Sequence, residues 1–236
     1  MRQLTLGVQL KERATFASFL VARNTELVAH LHATAARPGG ATWLAGPHTA
    51  GKSHLLQAVC AAAPANVRAA YLPLESLLPF GPAALDGAET LEVACYDDVQ
   101  CIAGLEEWEV RLFSLWQRAL ERNTTLVFAA RETPAHVPFA LADLKSRLAS
   151  ANVFAVRELN DEEQLEALYL RARLRGFELP AETARFLQRR FPRDMRSLCD
   201  ILDTLDDAAF AAQRRLTVPF IRAILDSKTI ESKPGS

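Results

Sequence analysis

The chain has 236 residues, half of them apolar, with 27 basic against 28 acidic side chains. That length allows one ordinary core and a smaller second domain, and the balanced charge supplies no global field that would draw the molecule onto nucleic acid or an anionic membrane. There is no run of about 18 apolar residues to span a bilayer, and the opening MRQLTLGVQL is too interrupted for a secretory signal, so a soluble, cytoplasmic protein is expected. Cys60, Cys95, Cys101 and Cys199 lack C-x-x-C spacing and read as small buried hydrophobes of a reducing compartment.

Residues 3–11 alternate apolar and polar without a turn or cap, so residues 1–12 are expected to form a free arm. Asn24 is placed to cap a helix through Leu27, Val28 and Leu31 that breaks at Arg37-Pro38-Gly39-Gly40. Ala41-Thr42-Trp43-Leu44-Ala45 then reads as a buried strand. It delivers Gly46-Pro47-His48-Thr49-Ala50-Gly51-Lys52-Ser53, which satisfies G-x-x-x-x-G-K-[ST] at every fixed position. A helix over residues 53–63 follows, with Leu55, Leu56, Val59 and Cys60 at helical spacing. In this order the segment is a phosphate-binding loop. Gly46 and Gly51 let the backbone curl so that N–H groups face phosphate oxygens, Lys52 brings a positive charge, and Ser53 brings a hydroxyl for Mg²⁺ at the positive helix end.

Residues 67–72 and 91–96 read as the second and third strands, the third ending in Asp97-Asp98. A carboxylate there suits Mg²⁺, which Asp97 is expected to bind, with Asp98 beside it to orient or deprotonate water. Trp108, Leu112, Leu115, Trp116 and Ala119 mark a helix that covers the sheet. Residues 125–130 form the fourth strand, residues 140–148 a short helix carrying Lys145 and Arg147, and residues 153–156 the fifth strand. Strand alternating with helix predicts a doubly wound, parallel, five-stranded α/β domain over residues 13–158. After Val156 there are only helix signals: a capping box of Asn160 and Glu163 with a stop at Gly176, Pro180 in a first turn, Asp194 as a cap, and Pro219 opening the last. These predict a small all-helical lid over residues 159–228 beside the nucleotide, then a disordered tail over residues 229–236.

A P-loop sheet followed by a small helical lid resembles the AAA+ ATPases. The strings GPHTAGKSHLLQ (residues 46–57) and TFASFLV (residues 15–21) are similar to the bacterial replication initiator DnaA. Cys101-Ile102-Ala103-Gly104, the string LRARLRGFELP (residues 170–180) and residues 212–220 are similar to the regulatory inactivators among its paralogues. On these strings, within a similarity that runs over nearly the whole chain, it is identified as a member of the DnaA-related AAA+ family. The resemblance implies ADP or ATP with Mg²⁺ as cofactors, held by residues 46–53 with His54, Phe19, Val21 and the sensor-2 Arg196, and Ser53 and Asp97 as metal groups. It implies a role in restraining replication: bound to the DNA polymerase III β sliding clamp, such a protein stimulates hydrolysis of DnaA-bound ATP, with Arg147 as an arginine finger supplied in trans. Gln3-Leu4-Thr5-Leu6-Gly7-Val8 resembles a clamp-binding peptide, with Gln3, Leu4, Leu6 and Val8 as its contacts. A homodimer is left open.

The chain ends soon after the lid, so no DNA-reading domain and no sequence-specific DNA contact are expected. Ala129-Ala130-Arg131-Glu132 departs from the family pattern, which has a small polar residue and then Asp-Arg, so no polar sensor-1 group is expected beside a γ-phosphate. The nucleotide is therefore expected to serve as a structural ligand or switch, with the chemistry on the partner's ATP. A self-hydrolysing AAA+ initiator or loader accessory acting on nucleic acid would want a basic groove and a complete sensor 1. A small-molecule P-loop kinase would leave a lid carrying Arg196 unexplained.

Overall fold

The five apolar segments become strands β1 (Ala41–Ala45), β2 (Ala69–Pro73), β3 (Val93–Asp97), β4 (Thr125–Ala130) and β5 (Asn152–Ala155), all parallel, in the order β2-β3-β4-β1-β5. The computed structural model describes residues 14–36, 39–191, 194–213 and 215–231, without the side chains of Arg196 and residues 225–231. The expected arm over residues 1–12, with Gln3, Leu4, Leu6 and Val8, lies outside the described residues, as do Arg37, Pro38 and residues 232–236.

Alternation along the strands divides the core into two layers. Trp43, Tyr96 and Phe128 point to one face, where Trp108, Leu112, Leu115 and Trp116 of α4 (Glu106–Arg122) and Leu144 and Leu148 of α5 (Ala142–Ala149) cover them. Leu44, Cys95, Val127 and Ala129 point to the other, under Leu27, Val28 and Leu31 of α1 (Thr25–Ala36) and Leu55, Leu56 and Val59 of α2 (Lys52–Ala62). Aromatic rings organise the first layer: Phe128 stacks with Tyr96 at 5.3 Å and with Trp116 at 5.6 Å between centroids.

Two local readings change. Asn24 stands at the start of α1, its carbonyl accepting the Val28 N–H, but its side chain does not cap the helix. Its amide instead pairs with both backbone groups of Arg157, at 3.0 and 2.9 Å, stitching α1 to the end of β5. Between β2 and β3 there is no full crossover helix either. A single turn, α3 (Leu74–Leu77), gives way to 3₁₀ turns through Thr90, because Pro79, Gly81, Pro82 and Gly87 interrupt any longer helix.

The chain divides into two compact units at Glu158 and Leu159. In the second, α6 (Asp161–Leu174), α7 (Ala181–Arg190), α8 (Met195–Ala211) and α9 (Val218–Glu231) share a core of Leu168, Leu187, Leu198, Leu202 and Ile221. The Asn160–Glu163 capping box is formed, and the Asp194 carboxylate accepts the Ser197 N–H at 2.8 Å. Arg171 of α6 and Arg175 at its C-terminal cap pair with Asp203, Asp206 and Asp207 of α8. The last helix runs past residue 229, where the tail was expected to begin. No helix among the described residues is long and apolar enough to cross a membrane.

Candidate functional site

The loop between β1 and α2 turns where its glycines permit. Gly51 adopts φ +88, a left-handed conformation that side chains disfavour. Gly46 is needed for room instead: a Cβ there would sit 2.6 Å from the Val156 carbonyl oxygen at the end of β5. Pro47, His48, Thr49 and Ala50 make the intervening turn, and Thr49 hydrogen-bonds the Glu158 carboxylate. Lys52 is buried and folds back, its ammonium donating to the carbonyls of Gly46 (2.7 Å) and Pro47 (2.6 Å). Burial holds that ammonium below the usual lysine range, with Asp97 and Asp98 pulling the other way.

Opposite Lys52 is the end of β3. Asp97 is almost completely buried, and burial pushes its carboxyl above the ordinary range against the lowering effect of hydrogen bonds from the Ser53 and Tyr71 hydroxyls. The Tyr71 bond spans 2.7 Å to Oδ2, and the Asp98 N–H reaches Oδ1 at 3.0 Å. Ser53 and Asp97 thus bring two oxygens together from different elements, a donor set that suits a hard divalent cation. Asp98 adopts φ +52, which turns the chain out of β3 into a 3₁₀ turn over Val99–Ile102.

The sequence pattern missed Gln100. Its amide donates to Asp98 Oδ1 at 3.0 Å and accepts the Arg131 N–H at 3.3 Å, joining the ends of β3 and β4. Beside it Ala130 ends β4 with a fully buried methyl group. Tyr71 and Glu158 were missed as well, since neither lies in a contiguous motif and each meets its partner only through the fold.

Phe19 lies against the loop, its ring edge 3.0 Å from the position of a Cβ on Gly51, and the Phe19 and His54 rings sit 5.6 Å apart. His54 Nε2 is 2.9 Å from the Thr15 carbonyl and 3.1 Å from Ser18 Oγ, which fastens the 3₁₀ turn at Phe16–Ser18 to the start of α2. Val21, like Phe19, packs against the apolar layer under α1 and α2. Arg196 falls in the first turn of α8, but its side chain lies outside the described residues.

Arg147 is elsewhere. It is exposed in the last turn of α5, on the sheet face opposite α2, and its guanidinium makes no ion pair among the described residues. The structure therefore brings residues 46–54, Asp97, Asp98, Phe19 and Val21 together and leaves Arg147 apart from them.

A family model described as the Hda lid domain matches residues 161–225. Solved structures match across both units. Domain III of DnaA from Thermotoga maritima aligns at a TM-score of 0.72 and 17% identity, covering 92% of this chain and 97% of that one. AMPPCP-bound DnaA from Aquifex aeolicus aligns at 0.63 and 17%, covering 84% and 66% respectively. The chain shares the fold of DnaA domain III. Its lid is of the Hda type, and its P-loop unit has the five-stranded sheet of that fold. The fold is shared more widely, since the RuvB Holliday junction branch migration motor of Thermotoga maritima aligns at 0.56 and 16% identity, covering 86% and 67%.

Proposed function

We propose that this protein restrains replication initiation by stimulating hydrolysis of ATP held on DnaA, with Arg147 as the guanidinium supplied in trans. The observation that carries this reading is the placement of Arg147: exposed, without an ion pair among the described residues, and on the sheet face opposite the helix that follows its own phosphate loop. A planar, permanently charged fork so placed serves a neighbour's γ-phosphoryl group, where such a finger is worth roughly 10³–10⁵ in rate. The Hda-type lid and the DnaA-like fold support DnaA as the neighbour.

The chain's own site fits a Mg²⁺–nucleotide. The Gly46 and Ala50 N–H groups bond the Ala130 and Pro47 carbonyls, so the N–H groups where the turn enters α2 are the ones offered to phosphate; Lys52 supplies charge, Ser53 and Asp97 supply oxygens for the cation, and Phe19 and His54 stand beside the loop. ADP or ATP bound there would supply anionic phosphates, toward which Lys52, now held by the Gly46 and Pro47 carbonyls, would direct its ammonium. With Ala130 in place of a polar side chain at the end of β4, this nucleotide acts as a ligand that orders the domain. Residues 1–8 recruit the protein to the β sliding clamp through Gln3, Leu4, Leu6 and Val8, as an extended peptide with one polar anchor and apolar side chains for a pocket.

The test is turnover of radiolabelled ATP preloaded on DnaA, with clamp-loaded DNA and with or without this protein. The expected result is conversion to DnaA–ADP only when protein and loaded clamp are both present. Turnover unchanged by the protein removes the proposal.

A further inference from the structure

Glu109 lies in α4, outside every motif above, and it is completely buried. A carboxylate so placed costs several kcal/mol unless its lone pairs are met. They are met by backbone alone: Oε1 accepts the N–H groups of Gly104 at 2.6 Å and Ala140 at 3.0 Å, and Oε2 accepts that of Leu141 at 2.6 Å. Three donors converging on two oxygens suit a carboxylate, which accepts only, and defeat a carboxamide, which must present an NH₂ to one of them.

Those three N–H groups belong to two segments. Gly104 closes the turn that leaves the Asp97–Asp98 pair, while Ala140 and Leu141 lead directly into α5. Leu141 is the N-cap residue of α5, where no side chain of its own segment accepts a helix N–H. Glu109 reaches across from α4 to hold the entry instead. Past that point only Leu144 and Leu148 fasten the eight-residue helix to the core, and Arg147 lies between them in sequence. Two leucines on one stripe resist lifting but allow rocking about the helix axis, whereas a third, polar anchor at one end removes that freedom.

We propose that Glu109 is the positioning residue for Arg147: by fixing the start of α5 it sets where the guanidinium stands. The inference rests on the trans role of Arg147 proposed above. A finger gains its rate from placement, and a misplacement of about 1 Å costs on the order of 10²-fold. Glu109 touches neither nucleotide nor partner in this scheme.

Glu109→Gln keeps the shape and removes the third acceptor. The expected result is that DnaA-bound ATP turnover at saturating protein falls about 10- to 100-fold, while the protein concentration giving half-maximal stimulation and the affinity for ADP stay within about twofold. Hydrogen exchange should quicken at Gly104 and over residues 140–148 and remain unchanged in α1, α2 and the lid. If Glu109→Gln does not fold, Ala140→Pro deletes one of the three donors at an exposed position and should show the same changes, reduced in size.

Unchanged exchange over residues 140–148 overturns the inference. So does quickened exchange throughout the first unit with loss of ADP binding, which marks a purely structural residue. Stimulation kept in Glu109→Gln but lost in Arg147→Ala overturns the inference alone. Full stimulation by Arg147→Ala overturns the trans role of Arg147, and the role of Glu109 falls with it.

Discussion

The Tyr71 hydroxyl donates to Asp97 Oδ2 at 2.7 Å, from one strand to its neighbour. Burial pushes the Asp97 carboxyl up, and this bond and that from Ser53 work against the shift. Because the folded-state pKa is raised, Asp97 binds its proton more tightly folded than unfolded, so its ionisation costs stability as pH rises through the folded value. A divalent cation offsets that cost, and it can bind only once the proton has left. Mg²⁺-dependent nucleotide affinity should therefore weaken as pH falls through the Asp97 pKa. Tyr71→Phe removes one lowering contribution and should move the midpoint of that loss to higher pH. Calorimetric titration of ADP with and without Mg²⁺ across the acidic range reads it. Superimposable wild-type and Tyr71→Phe profiles would show that the bond does not set the carboxylate.

Lys52→Ala should weaken ADP binding. The ammonium is buried against two carbonyls that phosphate oxygens would replace, and charge-assisted hydrogen bonds of this kind are worth roughly 1.5–3 kcal/mol, or about 10- to 100-fold in affinity. The thermal midpoint without nucleotide should change little by comparison. Equal ADP affinity in wild type and variant would take the phosphate loop out of the account.

Gly46→Ala tests the loop sterically. Its Cβ would meet the Val156 carbonyl at 2.6 Å, a backbone atom that cannot swing aside, so β1 and β5 must shift apart. A loss of roughly 1–3 kcal/mol in stability is expected, accompanied by weaker ADP binding, and denaturant titration checks it. A variant as stable as wild type would mean that the close approach is not tight in solution.

The contiguous parts of this site are legible in the amino-acid sequence alone. Residues 46–53 declare themselves because the backbone geometry that cradles phosphate depends on local glycines, and Asp97 because an apolar strand runs straight into it. What sequence could not supply was who stands beside whom. Tyr71 meets Asp97 because β2 lies next to β3, and Gln100 meets Arg131 because β3 lies next to β4. Strand order is set by long-range packing, and nothing in the local pattern of either segment announces it. Asn24 shows the same limit from the other side: its position before a helix favours a cap, yet two bonds to Arg157 displaced the local preference. The stretch from Leu74 to Thr90 carried its own warning in Pro79, Gly81, Pro82 and Gly87, residues that exclude a crossover helix.

Deleting residues 1–8 should abolish co-elution with the β sliding clamp and leave ADP affinity and thermal midpoint as in the full chain. These residues precede the first described element, the turn at Phe16–Ser18. Clamp binding that survives the deletion would place the contact elsewhere.

The trans role of Arg147 is tested most directly by single-turnover hydrolysis of ATP on DnaA in the presence of loaded clamp, comparing wild type, Arg147→Ala and Arg147→Lys. The side chain is exposed and belongs to neither the phosphate loop nor the buried core, so ADP affinity and fold should be retained in both variants. Stimulation should fall by roughly 10³-fold or more in Arg147→Ala, and Arg147→Lys should fail as well, because a compact ammonium cannot reproduce a planar fork. Full stimulation by Arg147→Ala would contradict the mechanism outright.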